Sequence, residues 1–275
     1  MSKPGRRFRD TAKGRNPNAL LLIALYRDGE HRIGELVREV ISGRRAARRI
    51  RIAIQGTVRA LERRTPGLVR RAIRTSYTAG ESALHGRKRS GRRLSALDTR
   101  TAEVLIDNLT LRLVGAARMV GRRADDALRE ATLQAALRQV EAEAPMGQAA
   151  DDLEREFRRR GVTGFVDRRG RQWRLSTYAE MAVRTTSAEA LARGTVEKMA
   201  EFGFDLVEVS SHGCSHHPGD PSHPCVMLEG ETLSITGATP GYERLPRFPL
   251  HPNCEHFITP SPLAFEVSEP ELVAA

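Results

Sequence analysis

Apolar residues recur at three- and four-residue steps through most of the first 140 positions. Leu22, Leu25, Tyr26, Ile33, Val37 and Val40 follow Asn16-Pro17-Asn18 at this spacing, which predicts helix over Ala19–Val40, with a break into two at Asp28-Gly29. Ser42-Gly43 is a stop signal. From Arg44 to about Arg63, Ile50, Ile52, Ile54, Val58 and Leu61 stand among arginines. Thr65-Pro66 interrupts this pattern, because proline lacks the N–H that an interior helical position donates, and Gly67–Tyr77 resumes it. Residues 79–91, with their glycines, serines and basic side chains, read as an exposed linker. Asp98 is suited to cap a long helix from Thr99 to about Glu143, with Val104, Leu105, Leu109, Leu113, Ala117 and Val120 on its inner side. Ala144-Pro145 ends it, and a shorter helix over Ala149–Arg159 follows.

The period changes after residue 160. Phe165-Val166 and Gln172-Trp173-Arg174-Leu175 are predicted as the arms of a hairpin, turned by Asp167-x-x-Gly170 with glycine where positive φ is required. Thr177-x-x-Glu180 has the form of a capping box. Behind it Tyr178, Met181, Thr185, Ala188, Ala192, Val196 and Met199 mark a helix that Phe202-Gly203-Phe204 ends, with core packing as its first role. Val207–Val209 reads as a strand, Leu228–Leu233 as a tight turn and short strand, and Phe248–Ile258 as a closing strand. The fold class is therefore α+β, mostly α: a basic helical N-terminal region, then a smaller α+β domain with a hairpin, a long helix and a short-stranded, Cys/His-bearing C-terminal part. The domain boundaries that follow are 1–150, 151–262 and a tail at 263–275.

Charge sharpens this division. The 275 residues carry a net +11, but residues 1–100 hold 26 basic and 8 acidic side chains while the remainder hold 19 and 26, so the front is basic and the back mildly acidic. A basic helical front points to contact with phosphate, since arginines release counterions from a nucleic-acid backbone. A solvated helix surface is the competing reading. With no helix-turn-helix, basic zipper or interleaved aromatic residues, any DNA contact through residues 1–100 is expected to be non-specific. The longest apolar stretch, Ala19–Tyr26, is eight residues, so no membrane span is expected. No signal peptide is read at the basic N-terminus. Three cysteines argue against a secreted disulfide scaffold.

All three cysteines and six of the eight histidines lie between His212 and His256, and this clustering singles the segment out for metal chemistry. His223-x-Cys225 and Cys254-x-His256 are mirror-image pairs. On extended backbone residues i and i+2 share a face, so two such pairs side by side would supply a tetrahedral Cys2His2 set suited to a structural Zn2+. Cys214 and His251 are candidate substitutes. Buried, unligated cysteines with hydrogen-bonded histidines are the second reading. A catalytic site is the third: a thiol nucleophile, with Cys254 beside His251, His256 or His223 and Glu229 or Asp220 orienting the base, or a metal-dependent nuclease, which His216-His217 and Asn253 evoke. No Walker or dinucleotide-binding string is present.

Several of these strings occur together in one order. Gly161-x-x-Gly164, Asp167-Arg-Arg-Gly170-Arg171-x-Trp173, Tyr178-Ala-Glu-Met181-x-x-Arg184-Thr185-Thr186 and Gly203-x-Asp205-Leu206-Val207 are followed by Cys225-x-x-x-Glu229-Gly230-x-x-Leu233-Ser234-Ile235-x-Gly237 and His251-Pro252-Asn253-Cys254-Glu255-His256. Over about residues 155–260 the chain resembles the phage minor capsid protein 2 family, akin to the phage Mu F-like head-morphogenesis proteins. Members often carry Cys-x-x-Cys before the Glu-Gly pair, where this chain has Ser222 in the first cysteine's place. The resemblance implies a structural, non-enzymatic minor component of a tailed-phage head, located in the virion, inside the capsid or near the portal. It implies association with portal and major capsid proteins, in multiple copies, and no membrane. The alternative is a head-carried metal- or thiol-dependent enzyme, a nuclease or effector using the Cys/His cluster.

Overall fold

Asn16 starts the first long helix. Its side-chain oxygen accepts from the backbone N–H groups of Asn18 and Ala19, and Pro17 occupies the first helical position, where a missing N–H costs nothing. The same side chain donates to Ala72 O at 2.8 Å and Ser76 Oγ at 2.9 Å, so the cap is itself held by a helix some 56 residues further on.

A computed structural model describes residues 6–41, 47–84, 96–141, 164–167, 169–213, 220 and 222–265. In chain order these form α1 (Arg6–Ala12), α2 (Pro17–Ile41), α3 (Ala47–Glu81), a 3-10 turn (Ser82–Leu84) and α4 (Ala96–Glu141). The hairpin β1 (Gly164–Val166) and β2 (Gln172–Arg174) leads into α5 (Leu175–Glu201). Strand β3 (Leu206–Val209), the helical turn α6 (Pro224–Met227), β4 (Thr232–Ser234), β5 (Ile258–Pro260) and a 3-10 turn (Pro262–Phe265) complete the chain. The fold is α+β and mostly α, as expected from sequence. Among the described residues no helix is long and apolar enough to cross a membrane.

The residues cluster into two compact units, one of residues 21–68 and 110–180, the other of residues 1–20, 69–109 and 181–275. In the first, the predicted faces are buried at Leu22, Leu25, Tyr26, Ile33, Val37, Ile50, Ile54, Val58, Leu61, Leu113, Ala117 and Val120. Ile52, however, is exposed, as is Val104 in the second unit. Two expected breaks are absent. α2 runs through Asp28-Gly29, where a Cβ on Gly29 would stand 3.0 Å from the Leu61 side chain, so this glycine permits close helix packing. α3 runs through Pro66. Thr65, fully buried, donates to Leu61 O and lies 2.9 Å from the Tyr26 hydroxyl. Burial of Leu61, Thr65 and Leu68 on both sides of the proline outweighs its intrinsic penalty of ~3 kcal/mol.

The hairpin turns where predicted. Gly170 has φ 77° and donates to Asp167 O, while the Asp167 carboxylate accepts from the backbone of Arg169 and Arg171 and from Trp173 Nε1. The Trp173 bond first, then those from the Arg171 and Arg169 backbone and the Arg171 side chain, hold this carboxyl far below the ordinary aspartate range against the opposing effect of burial. Leu175 belongs to α5 rather than the arm, and the helix start lies ahead of Thr177. Its cap comes from elsewhere: buried Glu30 of α2 accepts from Ser176 N–H at 2.7 Å and from Arg174 at 2.8 Å. Glu30→Ala is expected to cost about 1–2 kcal/mol in urea unfolding, with Glu30→Gln intermediate; unchanged midpoints would remove the capping role.

The second unit has the three-stranded antiparallel sheet β4-β3-β5. Val207 pairs with Leu233 on one side and Pro260 on the other. Leu206, Val207, Val209, Leu233 and Ile258 form its core with Ala192, Met199, Phe204, Phe248 and Ala264. Ala79, Ala83 and Leu84 are buried, so the stretch from 79 to 84 is core and not linker; helix α3 carries it inward. Residues 85–91, Ser42-Gly43 and the expected helix 149–159 lie outside the described residues. α4 begins at Ala96 and includes Asp98, so its start is not set by an Asp98 cap. The closing strand is confined to Ile258–Pro260, because residues 248–257 follow an irregular path containing a cis Phe248-Pro249 bond and Asn253 at φ 61°.

Candidate metal centre

His223 precedes Pro224, and that order makes a short helical turn. Proline takes the first helical position and His223 the N-cap, its backbone extended at φ −82° and ψ 130°. The imidazole accepts at Nδ1 from Cys225 N–H (3.4 Å), so Nδ1 carries the lone pair. The Cys225 thiol lies 3.1 Å from the same nitrogen and is fully buried. The i, i+2 pair is thus brought together by a cap and first turn, not by the strand that alternation suggested.

His251 approaches from the irregular stretch before β5. Its ring meets that of His223 edge to face at 4.9 Å between centroids. His251 Nδ1 donates to Pro252 O at 2.8 Å, which leaves Nε2 with the lone pair. One ligand atom each from His223, Cys225 and His251 all lie within 4.8 Å of one another. Cys254 follows through a turn in which its N–H donates to His251 O at 3.1 Å, and Asn253 N–H is tied to Thr185 Oγ1 of α5. Cys254 and Cys225 are buried and pack in one small cluster with Val226 and Leu250.

His256, also buried, is arranged differently. Its Nδ1 lies 3.7 Å from Cys254 Sγ, and its Nε2 donates to Glu229 Oε1 at 2.6 Å. Glu229 Oε1 also accepts from Gly213 N–H at 2.6 Å. The His256 bond first, then the Gly213 N–H, hold the Glu229 carboxyl below the ordinary glutamate range against the effect of burial. The His212 ring stacks on His256 at 4.9 Å and is oriented by Gly213 O and Ser210 Oγ. Residues 209–213 and 257 form the shelf for this pair, since Ser210 N–H donates to Phe257 O and Phe257 N–H to Ser210 Oγ.

Of the sequence-nominated residues, His223, Cys225 and His251 converge, Cys254 packs beside Cys225, and His256 reaches Cys254 from the side of Glu229. Cys214, His216 and His217 lie outside the described residues. Sequence reasoning put Glu229 only in a catalytic role; its spacing from Cys225 carried no signal that it would hold His256.

A family model described as phage minor capsid protein 2 matches residues 72–261, more than half of the chain. No curated protein and no solved structure matches it.

Proposed function

The chain belongs to the phage minor capsid protein 2 family and is a structural component of a phage virion, and from that premise we propose that it is a head-morphogenesis protein bound to the portal and major capsid proteins. The match over residues 72–261 carries this reading. The protein acts by binding and scaffolding, without turnover, in several copies on the inner side of the head. Affinity-tagged protein expressed with portal and coat proteins is expected to co-purify with portal, and mass spectrometry is expected to find it in finished virions. Its absence from virions would overturn the assignment.

The basic front supplies a second mode of binding. Arg59, Arg63 and Arg64 of α3 are exposed and form no ion pair among the described residues. Arg59 and Arg63 stand at i, i+4, where like charges repel, and a phosphate backbone would relieve that repulsion. This face touches packaged DNA without reading its sequence. Changing all three arginines to alanine is expected to weaken duplex binding equally across sequences. The log-log salt slope is expected to fall by about 0.9 for each phosphate no longer neutralised. A slope unchanged by the substitutions would show that these residues do not touch DNA.

A further inference from the structure

We propose that His223, Cys225, His251 and Cys254 bind one zinc ion, and that His256 and Glu229 orient the Cys254 ligand from outside. This goes beyond the capsid reading and does not depend on it.

The donor chemistry is specific. His223 carries its lone pair at Nδ1, which exchanges the long 3.4 Å bond from Cys225 N–H for the metal, and His251 carries its lone pair at Nε2, because Nδ1 donates to Pro252 O. Those two nitrogens with two thiolates make a soft, mixed N2S2 set of the kind that selects zinc over harder cations. Zn–N near 2.0 Å and Zn–S near 2.3 Å give tetrahedral edges of roughly 3.3–3.8 Å. One ring nitrogen from each of His223 and His251 and the Cys225 sulfur lie within 4.8 Å of one another, so side-chain movements of up to about 1.5 Å close the set to that geometry. Cys254 is not one of those three, but it packs in the same small buried cluster as Cys225, and its side chain moves inward to take the fourth position. Two thiolates balance the charge of a divalent ion, so the centre is neutral, which its buried cysteines require.

His256 takes a supporting place. Its Nε2 is committed to Glu229, and its Nδ1 faces Cys254 Sγ at hydrogen-bond distance for sulfur. The imidazole therefore stands between a carboxylate and the Cys254 side chain, the place that outer partners of metal sites occupy. The centre's role follows from where the ligands sit. His223-Cys225 and His251-Cys254 lie on two segments with little regular structure, about 25 residues apart in sequence, and a shared ion pins one to the other.

Full-length protein made in zinc-supplemented medium is expected to carry about one zinc per chain by plasma mass spectrometry. Cobalt exchanged into it is expected to give the visible bands of a tetrahedral ion with sulfur-to-cobalt charge transfer. Cys225→Ser and His251→Ala are expected to lose the metal, while His31→Ala retains it. His256→Ala is expected to keep the stoichiometry, weaken metal affinity by about 10-fold or more and shift the charge-transfer band. Because a ligand variant can fail to fold, the native protein supplies a separate readout: iodoacetamide should label Cys225 and Cys254 only after chelator is added. Metal-free protein that takes up no cobalt, full zinc in both ligand variants, a cobalt spectrum without sulfur charge transfer, or thiol labelling indifferent to chelator would each overturn the proposal.

Discussion

Gly80→Ala is expected to destabilise the protein by about 3 kcal/mol or more, a larger loss than surface substitutions produce. A Cβ at Gly80 would stand 2.1 Å from Leu191 O and 2.8 Å from Thr195 N, and one at Gly194 would stand 2.2 Å from Tyr77 O. These neighbours are backbone atoms, so no rotamer change relieves the clash and the helices themselves must separate. Thr195, fully buried, fastens the crossing by directing its hydroxyl to Leu191 O and Gly80 O. Phe8, Ala79, Ala83 and Leu191 close around it, and separation would open all of this packing together. Urea unfolding is the measurement. Gly56→Ala is the control, since nothing lies within 4 Å of the added methyl, and it is expected to stabilise by roughly 0.5–1 kcal/mol through helix propensity. Equal behaviour of the two variants would refute the close crossing.

The second large effect is expected at Asp205, the residue immediately before β3. Its carboxylate accepts from Ser234 Oγ, from Thr236 N–H at 2.8 Å and from Thr239 Oγ1 at 2.7 Å. Burial raises the pKa of this group, but the hydrogen bonds from Ser234, Thr239 and Thr236 outweigh it and hold the carboxyl below its ordinary value. A depressed folded-state pKa stabilises the native form fully above the unfolded value, near 3.9, and that contribution disappears as pH falls through the folded value. Asp205→Ala is therefore expected to cost about 2–3 kcal/mol at neutral pH and to flatten the loss of stability in acid. Ser234 is the reason the cost is high: it is fully buried, and its hydroxyl loses its acceptor while still taking a bond from Gly237 N–H. Unfolding curves collected from neutral pH downward test both parts. Wild type and variant with parallel acid limbs would show that Asp205 does not carry the linkage.

The hairpin, the existence of the long helices and most of their buried faces were legible because each depends on residues a few positions apart. Gly170 needs only its own positive φ, and Asp167 reaches only as far as Trp173. The departures have a common origin in longer range. Pro66 and Asp28-Gly29 carry real local penalties, yet burial of Leu61, Thr65 and Tyr26 across two helices exceeds them. The Thr177 capping box is outcompeted by Glu30, which lies 146 residues before Ser176 and cannot be found by a rule that looks three residues ahead. Gly80 resembles a linker residue in sequence because its missing side chain is explained only by α5.

The same distinction runs through the Cys/His segment. Composition alone isolated residues 212–256, and the order of short strings there and upstream was enough to indicate the family. What an individual histidine does was not encoded nearby. His251 turns toward His223 while His256 turns toward Glu229, although both flank Cys254 within three residues. Local sequence determined which segments are helical, where the hairpin turns and which residues carry the chemistry, because those follow from backbone propensity and periodicity. Tertiary structure decided which helices continue through their breakers, where backbones touch and which nitrogen faces which thiol. Those outcomes depend on burial and on partners up to 146 residues away, whose energies exceed the local preferences they override.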